Sequence, residues 1–312
     1  MSTRVLITGG AGYVGSVLCA RLLAAGHRVT VLDRLDHGQA SLLHLCDHDG
    51  FEFVFGDVRN EPLVRSLVAA HDVIVPLAAI VGAPACDLSP AEAKAINFDA
   101  IAMMDRLRSK EQLVVYPTTN SGYGTKSGDV FCTEDTPLEP ISLYGRTKVD
   151  AENHLLQSGG AITLRLATLF GLSPRMRLDL MVNHFTWAAV KDRYLVIFEA
   201  HFKRNYLHVQ DMADCFVHCI EHRDPMIGRA FNVGLDKANL SKGELAELIQ
   251  NFVPDFYVHF AEIGQDPDKR NYIVSNQRLR EAGFEAKRSL DQGVTELIRG
   301  FRMIRGGPLK NV

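Results

Sequence analysis

Two side chains near the middle of the chain, Tyr144 and Lys148, have the types and the spacing of an acid–base pair. They stand four residues apart in YGRTK, so a helix would place them on one face. A free tyrosine has a pKa of about 10, too high for a base at neutral pH, whereas a neighbouring ammonium group favours the phenolate. The same spacing is typical of an exposed helix face, so the interpretation depends on the elements around the pair.

A hydroxyl-rich tract, YPTTNSGYG at residues 116–124, lies upstream of this pair. It follows an apolar run from Leu113 to Tyr116, so it stands where a strand ends. Threonine, serine, asparagine and glycine are the usual residues of turns, which is one interpretation. The other is that one hydroxyl meets a substrate at the carboxyl edge of a sheet.

A glycine-rich segment, TGGAGYVGS at residues 8–16, follows the first apolar run and precedes a helical pattern. Gly9 suits a tight turn, Gly12 a close approach of a pyrophosphate, and Gly15 the packing of helix on strand. Asp33 ends the second strand, where a carboxylate binds adenosine ribose hydroxyls and disfavours a 2′-phosphate. The segment therefore predicts NAD as cofactor, although Arg34 beside Asp33 keeps NADP open.

Two further strand ends belong to the same predicted edge. Asp57 in FGDVR ends the third strand, and the run LAA (Leu77, Ala78, Ala79) ends the fourth. We expect Asp57 to meet the adenine, with a helix cap as the alternative.

Short apolar runs alternate with helical patterns in the first half of the chain, which predicts a doubly wound, Rossmann-type parallel sheet of the α/β class. We predict a dinucleotide-binding domain over 1–171 and about 209–235, and a smaller mixed lobe over about 172–208 and 236–312. The predicted strands are Arg4–Ile7, Arg28–Leu32, Phe51–Phe55, Val73–Pro76, Leu113–Tyr116 and Ala161–Leu166, with helices near 14–25, 61–70, 90–109 and 144–157.

The bulk composition excludes several classes of partner. A net charge of −3 over 312 residues gives no reason to expect nucleic acid, and no apolar run is long enough for a membrane span. The N-terminus lacks the pattern of a signal peptide. The six cysteines are scattered, and Cys215 and Cys219 are expected to be buried thiols rather than zinc ligands, so we expect no metal and a cytoplasmic protein.

Taken together and in order, TGGAGYVG, Asp33, GDV, LAA, TTNSGYG, YGRTK, LRLATLFG and RNYLHV resemble the extended short-chain dehydrogenase/reductases that act on nucleotide sugars. The resemblance implies that Thr119 binds the sugar's 4-hydroxyl, that Tyr144 takes its proton, and that Lys148 also holds the nicotinamide ribose. It adds Tyr13, Val14 and Val58 to the cofactor site. The implied substrate-binding residues are Thr119, Asn120, Ser121, Thr168, Asn183, Arg204 and Arg270.

The tract also bears on the reaction, because the 4,6-dehydratases of this family carry an aspartate and a glutamate after the threonine. Here these positions are Asn120 and Ser121, which cannot act as acid and base near neutral pH, so we expect no dehydration. His208 is expected to be structural. Arg175 and Arg177 suit a diphosphate or are surface charges.

Three functions remain open. The segments PTTNSGYG, SPRMRLDLMVN, KRNYLHV and DPDKRNYIVSN most resemble the branch that oxidises C4 of a GDP-activated heptose to a 4-keto sugar in bacterial capsule pathways. The alternatives are a UDP-sugar 4-epimerase and a non-catalytic dinucleotide-sensing protein. The resemblance also implies a homodimer formed through helices 90–109 and 144–157.

Overall fold

The dominant feature of the molecule is a seven-stranded parallel β-sheet. The computed structural model describes residues 2–126, 131–263 and 270–304. The strands of the described residues are β1 (Arg4–Thr8), β2 (Arg28–Asp33), β3 (Phe51–Phe55), β4 (Val73–Pro76), β5 (Leu113–Thr119), β6 (Phe131–Cys132), β7 (Ala161–Leu166), β8 (Thr168–Phe170), β9 (Tyr194–Phe198), β10 (Lys203–His208), β11 (Ala230–Val233), β12 (Asn239–Ser241), β13 (Tyr257–Ala261) and β14 (Ile273–Val274).

Helices cover both faces of this sheet. The α-helices of the described residues are α1 (Tyr13–Ala24), α2 (Glu61–Ala70), α3 (Ala83–Leu88), α4 (Pro90–Lys94), α5 (Ala100–Leu107), α6 (Leu143–Ser158), α7 (Met181–Lys191), α8 (Val209–Glu221), α9 (Lys242–Phe252), α10 (Gln277–Glu281) and α11 (Leu290–Phe301).

The strand order places a crevice between β1 and β4. The sheet runs β3-β2-β1-β4-β5-β7-β11, and every neighbouring pair is parallel. The chain moves outward from β1 to β3 in one direction and from β4 to β11 in the other. Ligands of such sheets bind outside the carboxyl ends of the strands where this direction reverses. The order confirms the predicted fold class.

Alternating side chains of β1 show how the two faces are filled. Val5 and Ile7 belong to one buried core together with residues of α1 and α8, whereas Leu6 belongs to a second core with residues of α2, α5 and α6. Successive side chains of a strand point to opposite faces, and both faces of a parallel sheet are covered by helices. This explains why Val5, Leu6 and Ile7 are apolar in succession and do not alternate with polar residues.

Two predicted elements differ from the structure by more than one residue at an end. β5 continues to Thr119, three residues beyond its predicted end, so the first threonines of the tract belong to the strand. The helix predicted over 90–109 consists of α4, a wider π-helical turn at Ala95–Asp99, and α5. The separate helix α3 was not predicted because its six residues are too few to show a helical period.

The part of the chain after β7 contributes strands to three small sheets and also returns to the large one. β8, β10 and β12 form one small sheet, β9 pairs with β13, and β6 pairs with β14. Between the segments of the predicted lobe, β11 pairs with β7 at the edge of the large sheet. The domain boundaries remain a prediction. No helix among the described residues combines the length and the apolar character needed to cross a membrane.

Candidate active site

The glycine-rich loop between β1 and α1 closes tightly onto the next strand of the sheet. Gly9 has a φ of +72°, and a Cβ atom at this position would lie 2.5 Å from the backbone nitrogen of Ala78. A Cβ atom on Gly15 would lie 2.5 Å from the Cα atom of Gly10. Only glycine allows both approaches. The loop thus brings the N-terminal end of α1 to the crevice, where its N–H groups favour an anion.

The Asp33 side chain is fixed by the backbone at the end of β2. Its Oδ2 atom accepts a hydrogen bond from the N–H of Ala11 at 2.9 Å, and its Oδ1 atom accepts one from the N–H of Leu35 at 2.8 Å. The carboxylate therefore bridges the glycine loop and the turn after β2, and it lines the crevice. This is the place from which the sequence predicts contact with the adenosine ribose.

Asp57 lies at the same end of the crevice, but its carboxylate contacts two guanidinium groups. Arg59 Nη2 approaches Asp57 Oδ2 at 2.6 Å, and Arg34 Nη1 approaches the same oxygen at 2.8 Å. Arg59 and Arg34 hold the pKa of the Asp57 carboxyl well below its usual range. The carboxylate is therefore charged and engaged, so its predicted contact with adenine has to coexist with these two ion pairs.

The crevice brings together almost all of the predicted cofactor residues. The members of the prediction that line it are Gly9, Gly12, Tyr13, Val14, Gly15, Asp33, Asp57, Val58, Leu77, Ala78 and Ala79. No sequence motif predicted the other lining residues Asp36, His37, Gln39, Ile80, Val81 and Ile96. Most of them lie in the loops that follow a predicted strand end, and that position was the available signal.

Arg175 and Arg177 also line the crevice, so the interpretation of these residues as surface charges is wrong. Arg175 is only 3% exposed, and its burial lowers the pKa of the guanidinium. Arg177 forms an ion pair with Asp179 at 2.5 Å. Two cations from the segment after β8 therefore stand beside the cofactor crevice.

Tyr144 and Lys148 lie in the first turns of α6, where Ser142 caps the helix by accepting the N–H of Gly145 at 3.1 Å. The Lys148 ammonium is buried and lies 4.0 Å from the ring centroid of Tyr116. Burial lowers the pKa of Lys148 to about 7, and Glu152 opposes this shift. The lysine is thus held in a site that penalises its charge.

The electrostatics of Tyr144 differ from the sequence expectation. Burial raises the pKa of Tyr144, and the cations that oppose this rise are Arg177 and Arg270. We had expected Lys148 to supply that effect. The difference arises because no sequence motif indicates that two arginines from distant segments influence the phenol.

The hydroxyl tract forms a short 3₁₀ turn, Asn120–Tyr123, directly after β5. Thr119 Oγ1 accepts the N–H of Ser121 at 3.1 Å and donates to the Ser121 hydroxyl at 2.9 Å. The Ser121 hydroxyl also accepts a hydrogen bond from Arg270. Thr119 therefore does take part in turn chemistry, and the same turn links it to a cation near Tyr144.

Asn120 is fully buried, and neither polar atom of its side chain has a hydrogen-bond partner among the described residues. An unsatisfied buried amide costs roughly 1–3 kcal/mol. Such a cost is typical of a site that a ligand completes.

The remaining predicted substrate residues lie in different surroundings. Thr168 is half-buried at the start of β8. Asn183 is fully buried, accepts the N–H of Gly171 at 3.0 Å and donates to the Arg177 carbonyl at 2.9 Å, so its amide orders the chain around Arg177. Arg204 is buried in β10, and its guanidinium carbon lies 5.6 Å from the ring centroid of Tyr272.

His208 and the cysteines have structural surroundings. His208 is fully buried, and its Nε2 atom lies 3.1 Å from Glu296. Cys215 and Cys219 are free, buried thiols in α8. Within residues 2–126, 131–263 and 270–304, no group of three or more His, Cys, Asp or Glu side chains could hold a metal ion.

Comparison with known proteins identifies the class to which this site belongs. The model of the NAD dependent epimerase/dehydratase family matches residues 5–234. The chain is 31% identical to a UDP-glucose 4-epimerase of Mycolicibacterium smegmatis, over 96% of this chain and 98% of that protein. It is 27% identical to a putative UDP-arabinose 4-epimerase of Arabidopsis thaliana, over 86% of this chain and 70% of that protein.

Solved structures share the fold over nearly the whole chain. The UDP-glucuronic acid 4-epimerase of Bacillus cereus, solved with UDP-glucuronic acid and NAD, superposes with a TM-score of 0.83 at 23% identity, covering 96% of this chain and 99% of that one. The dTDP-glucose 4,6-dehydratase of Bacillus anthracis, solved with NAD, gives a TM-score of 0.82 at 20% identity, covering 97% of each chain. At such low identity these two likenesses concern the fold alone.

The comparisons confirm NAD as the cofactor and an NAD-dependent enzyme of the nucleotide-sugar epimerase and dehydratase type.

Proposed function

We propose that this chain, which belongs to the NAD-dependent epimerase/dehydratase family, is a 4-epimerase of a UDP-activated sugar. The observation that carries the proposal is its nearly end-to-end match with the UDP-glucose 4-epimerase of Mycolicibacterium smegmatis. A 4-epimerase is the alternative that the sequence analysis kept beside oxidation of a GDP-activated heptose. That oxidation is our second candidate, supported by the resemblance of the segments around Arg175, Arg204 and Arg270.

The tract at the end of β5 argues against the dehydratase branch of the family. Where those enzymes have an acid and a base, this chain has the amide of Asn120 and the hydroxyl of Ser121, and the latter already accepts hydrogen bonds from Thr119 and Arg270. Neither group exchanges protons efficiently near neutral pH. We therefore propose that the reaction stays at C4.

The residues of the crevice fit a dinucleotide. Because Gly9 and Gly15 lack a Cβ atom, the loop can pack tightly against the neighbouring backbone. The N-terminus of α1 suits a pyrophosphate, and Asp33 suits a ribose. When bound, NAD supplies the acceptor and donor of a hydride at C4 of the sugar. The residues of the chain then have two tasks, which are to move one proton and to orient the sugar.

We assign the proton to Tyr144 and the orientation to Thr119. As the phenolate, Tyr144 takes the proton of the C4 hydroxyl and later returns it, while the Thr119 hydroxyl holds the C4 oxygen. Arg177 and Arg270 favour the phenolate, because they oppose the rise of the Tyr144 pKa that burial causes. Lys148, on the same face of α6, is assigned to the nicotinamide ribose.

Binding of the nucleotide diphosphate is assigned to the smaller lobe. Arg204 and Arg270 bring guanidinium groups, which bind phosphates bidentately, and Thr168 and Asn120 offer polar groups to the sugar. Asn183 acts indirectly in this proposal, through the Arg177 segment. A homodimer and a cytoplasmic location remain proposals that follow from the family resemblance and the free thiols.

A panel of UDP-, GDP-, CDP- and dTDP-sugars tests the proposed function. After incubation with the purified protein, we expect a UDP-sugar product of unchanged mass, with inverted configuration at C4 by NMR and no lasting rise in absorbance at 340 nm. A product two mass units lighter, formed together with NADH from a GDP sugar, would favour the second candidate. A product 18 mass units lighter would contradict both.

A further inference from the structure

Arg34, the residue that kept NADP open in the sequence analysis, is enclosed by carboxylates. Its Nε and Nη2 atoms contact Asp36 at 3.1 and 2.5 Å, and its Nη1 atom contacts Asp57 at 2.8 Å. Its Nη2 atom also lies 3.6 Å from Glu92. All three nitrogens of the guanidinium group therefore face a carboxylate.

The second arginine at this end, Arg59, shares two of the same partners. It contacts Asp57 through Nη2 at 2.6 Å and Nε at 3.0 Å, and its Nη1 atom lies 3.3 Å from Glu92. Asp57 and Glu92 thus bridge Arg34 and Arg59, while Asp36 pairs with Arg34 alone among the two arginines. We call these five residues the adenosine-end cluster.

We propose that Asp36 and Glu92 are determinants of cofactor specificity, because they hold Arg34 in ion pairs and so deny it to the 2′-phosphate of NADP. An arginine near the ribose is the usual ligand of that phosphate in related dinucleotide sites. Arg34 directly follows Asp33 and lines the same crevice. Its carboxylate partners, together with the neighbouring Asp33, separate it from that role.

The charge of this end supports the same preference. The cluster and Asp33 together hold four carboxylates, Asp33, Asp36, Asp57 and Glu92, against the guanidinium groups of Arg34 and Arg59. A 2′-phosphate would add a further −1.5 to −2 charges or so. The preference for NAD would then depend on Asp36 and Glu92 as well as on Asp33, although Asp36 and Glu92 need not contact the ribose.

Titration of the cofactor-free protein with NAD⁺ and NADP⁺ tests the proposal. In the double variant Asp36→Asn/Glu92→Gln, we expect the dissociation constant of NADP⁺ to fall roughly 10- to 100-fold, the range of one charge-assisted contact. That of NAD⁺ should change by less than about 3-fold. Adding Arg34→Ala should remove the gain.

Two controls make the outcome specific to Arg34. Glu61→Gln removes a carboxylate that pairs with Arg65 and Arg106, away from the crevice, and should leave NADP⁺ affinity unchanged. Arg34→Ala in the otherwise wild-type chain should weaken NADP⁺ binding only slightly, because it leaves Asp36, Asp57 and Glu92 with less positive charge beside them. A loss larger than the gain of the double variant would mean that Arg34 already binds the phosphate, and the proposal would be wrong.

The proposal is also wrong if the double variant binds NADP⁺ no better than wild type, or if its gain survives Arg34→Ala. In the latter case Arg175 or Arg177, the other cations of the crevice, would be the phosphate ligands. Because the readout is cofactor binding, it does not depend on which sugar the enzyme converts.

Discussion

The adenosine end of the crevice and the catalytic end of the site, formed by Thr119, Tyr144 and Arg270, are built in different ways. At the adenosine end, the loop at Gly9, Asp33 and Asp57 each follow a strand directly, and the hydrogen-bond partners of Asp33 and Asp57 lie within 23 residues of them in the chain. At the catalytic end, Thr119 is linked to Arg270, and Tyr144 is influenced by Arg177, across long stretches of chain. Local motifs therefore specify the first end, whereas the packing of the whole fold specifies the second.

The largest effect is expected at the phenol of the catalytic end. Tyr144→Phe should lower turnover by roughly 10²- to 10⁴-fold, the range of a general acid–base group, with little change in UDP binding. Steady-state rates and UDP titration measure the two effects. Tyr257→Phe, on an exposed tyrosine, is the control and should be neutral. A Tyr144→Phe enzyme with near wild-type turnover would refute the assignment.

The second-largest effect on turnover is expected at Thr119, and the neighbouring Thr118 offers a matched control. Thr119→Val keeps the volume but removes the hydroxyl, which should slow turnover by roughly 10²- to 10³-fold. The Thr118 hydroxyl is buried without a hydrogen-bond partner among the described residues, so Thr118→Val should cost no activity and no stability. Equal losses of turnover in Thr119→Val and Thr118→Val would show that the effect comes from the packing of the strand and not from the Thr119 hydroxyl.

Lys148 should reveal its burial through the pH dependence of stability. Its pKa of about 7 lies below that of a lysine in the unfolded chain, so the folded state is penalised at low pH and recovers as pH rises from about 7 toward 10.5. Lys148→Met should therefore be more stable than wild type at pH 6, by a few kcal/mol at most. Its turnover should fall.

Urea unfolding at pH 6 and pH 9 measures this difference. The difference in the free energy of unfolding between Lys148→Met and wild type should be smaller at pH 9 than at pH 6. Lys237→Met, at an exposed lysine, serves as control for the loss of one charge. A gap that stays the same at both pH values would show that the lysine is not penalised by burial.

The smallest effect is expected at the link between the two segments of the catalytic end. Ser121→Ala removes the hydroxyl that accepts from Thr119 and Arg270, and losing a hydrogen bond to a charged group should lower kcat/KM about tenfold. Ser121→Thr, which restores a hydroxyl, should recover most of it. Full activity of Ser121→Ala would show that the link has no functional role.

The same comparison explains what could be predicted from the sequence. The glycine loop, Asp33 and the parallel sheet could be predicted from short motifs and apolar runs, because the residues that indicate each feature lie close together in the chain. The contact of Arg270 with Ser121 and the place of Arg177 beside the crevice depend on how the smaller lobe packs on the sheet. The extension of β5 to Thr119 was missed because hydroxyl residues suit both a strand end and a turn.

The most direct test of the proposed epimerase uses the UDP sugar selected by the panel, deuterated at C4. Because hydride leaves C4 and returns to it, we predict an epimeric product that keeps the deuterium at C4, seen by NMR, with the mass of the labelled substrate. A 4-keto product without deuterium, formed in stoichiometric amount with reduced cofactor, would contradict the epimerase and leave the dehydrogenase.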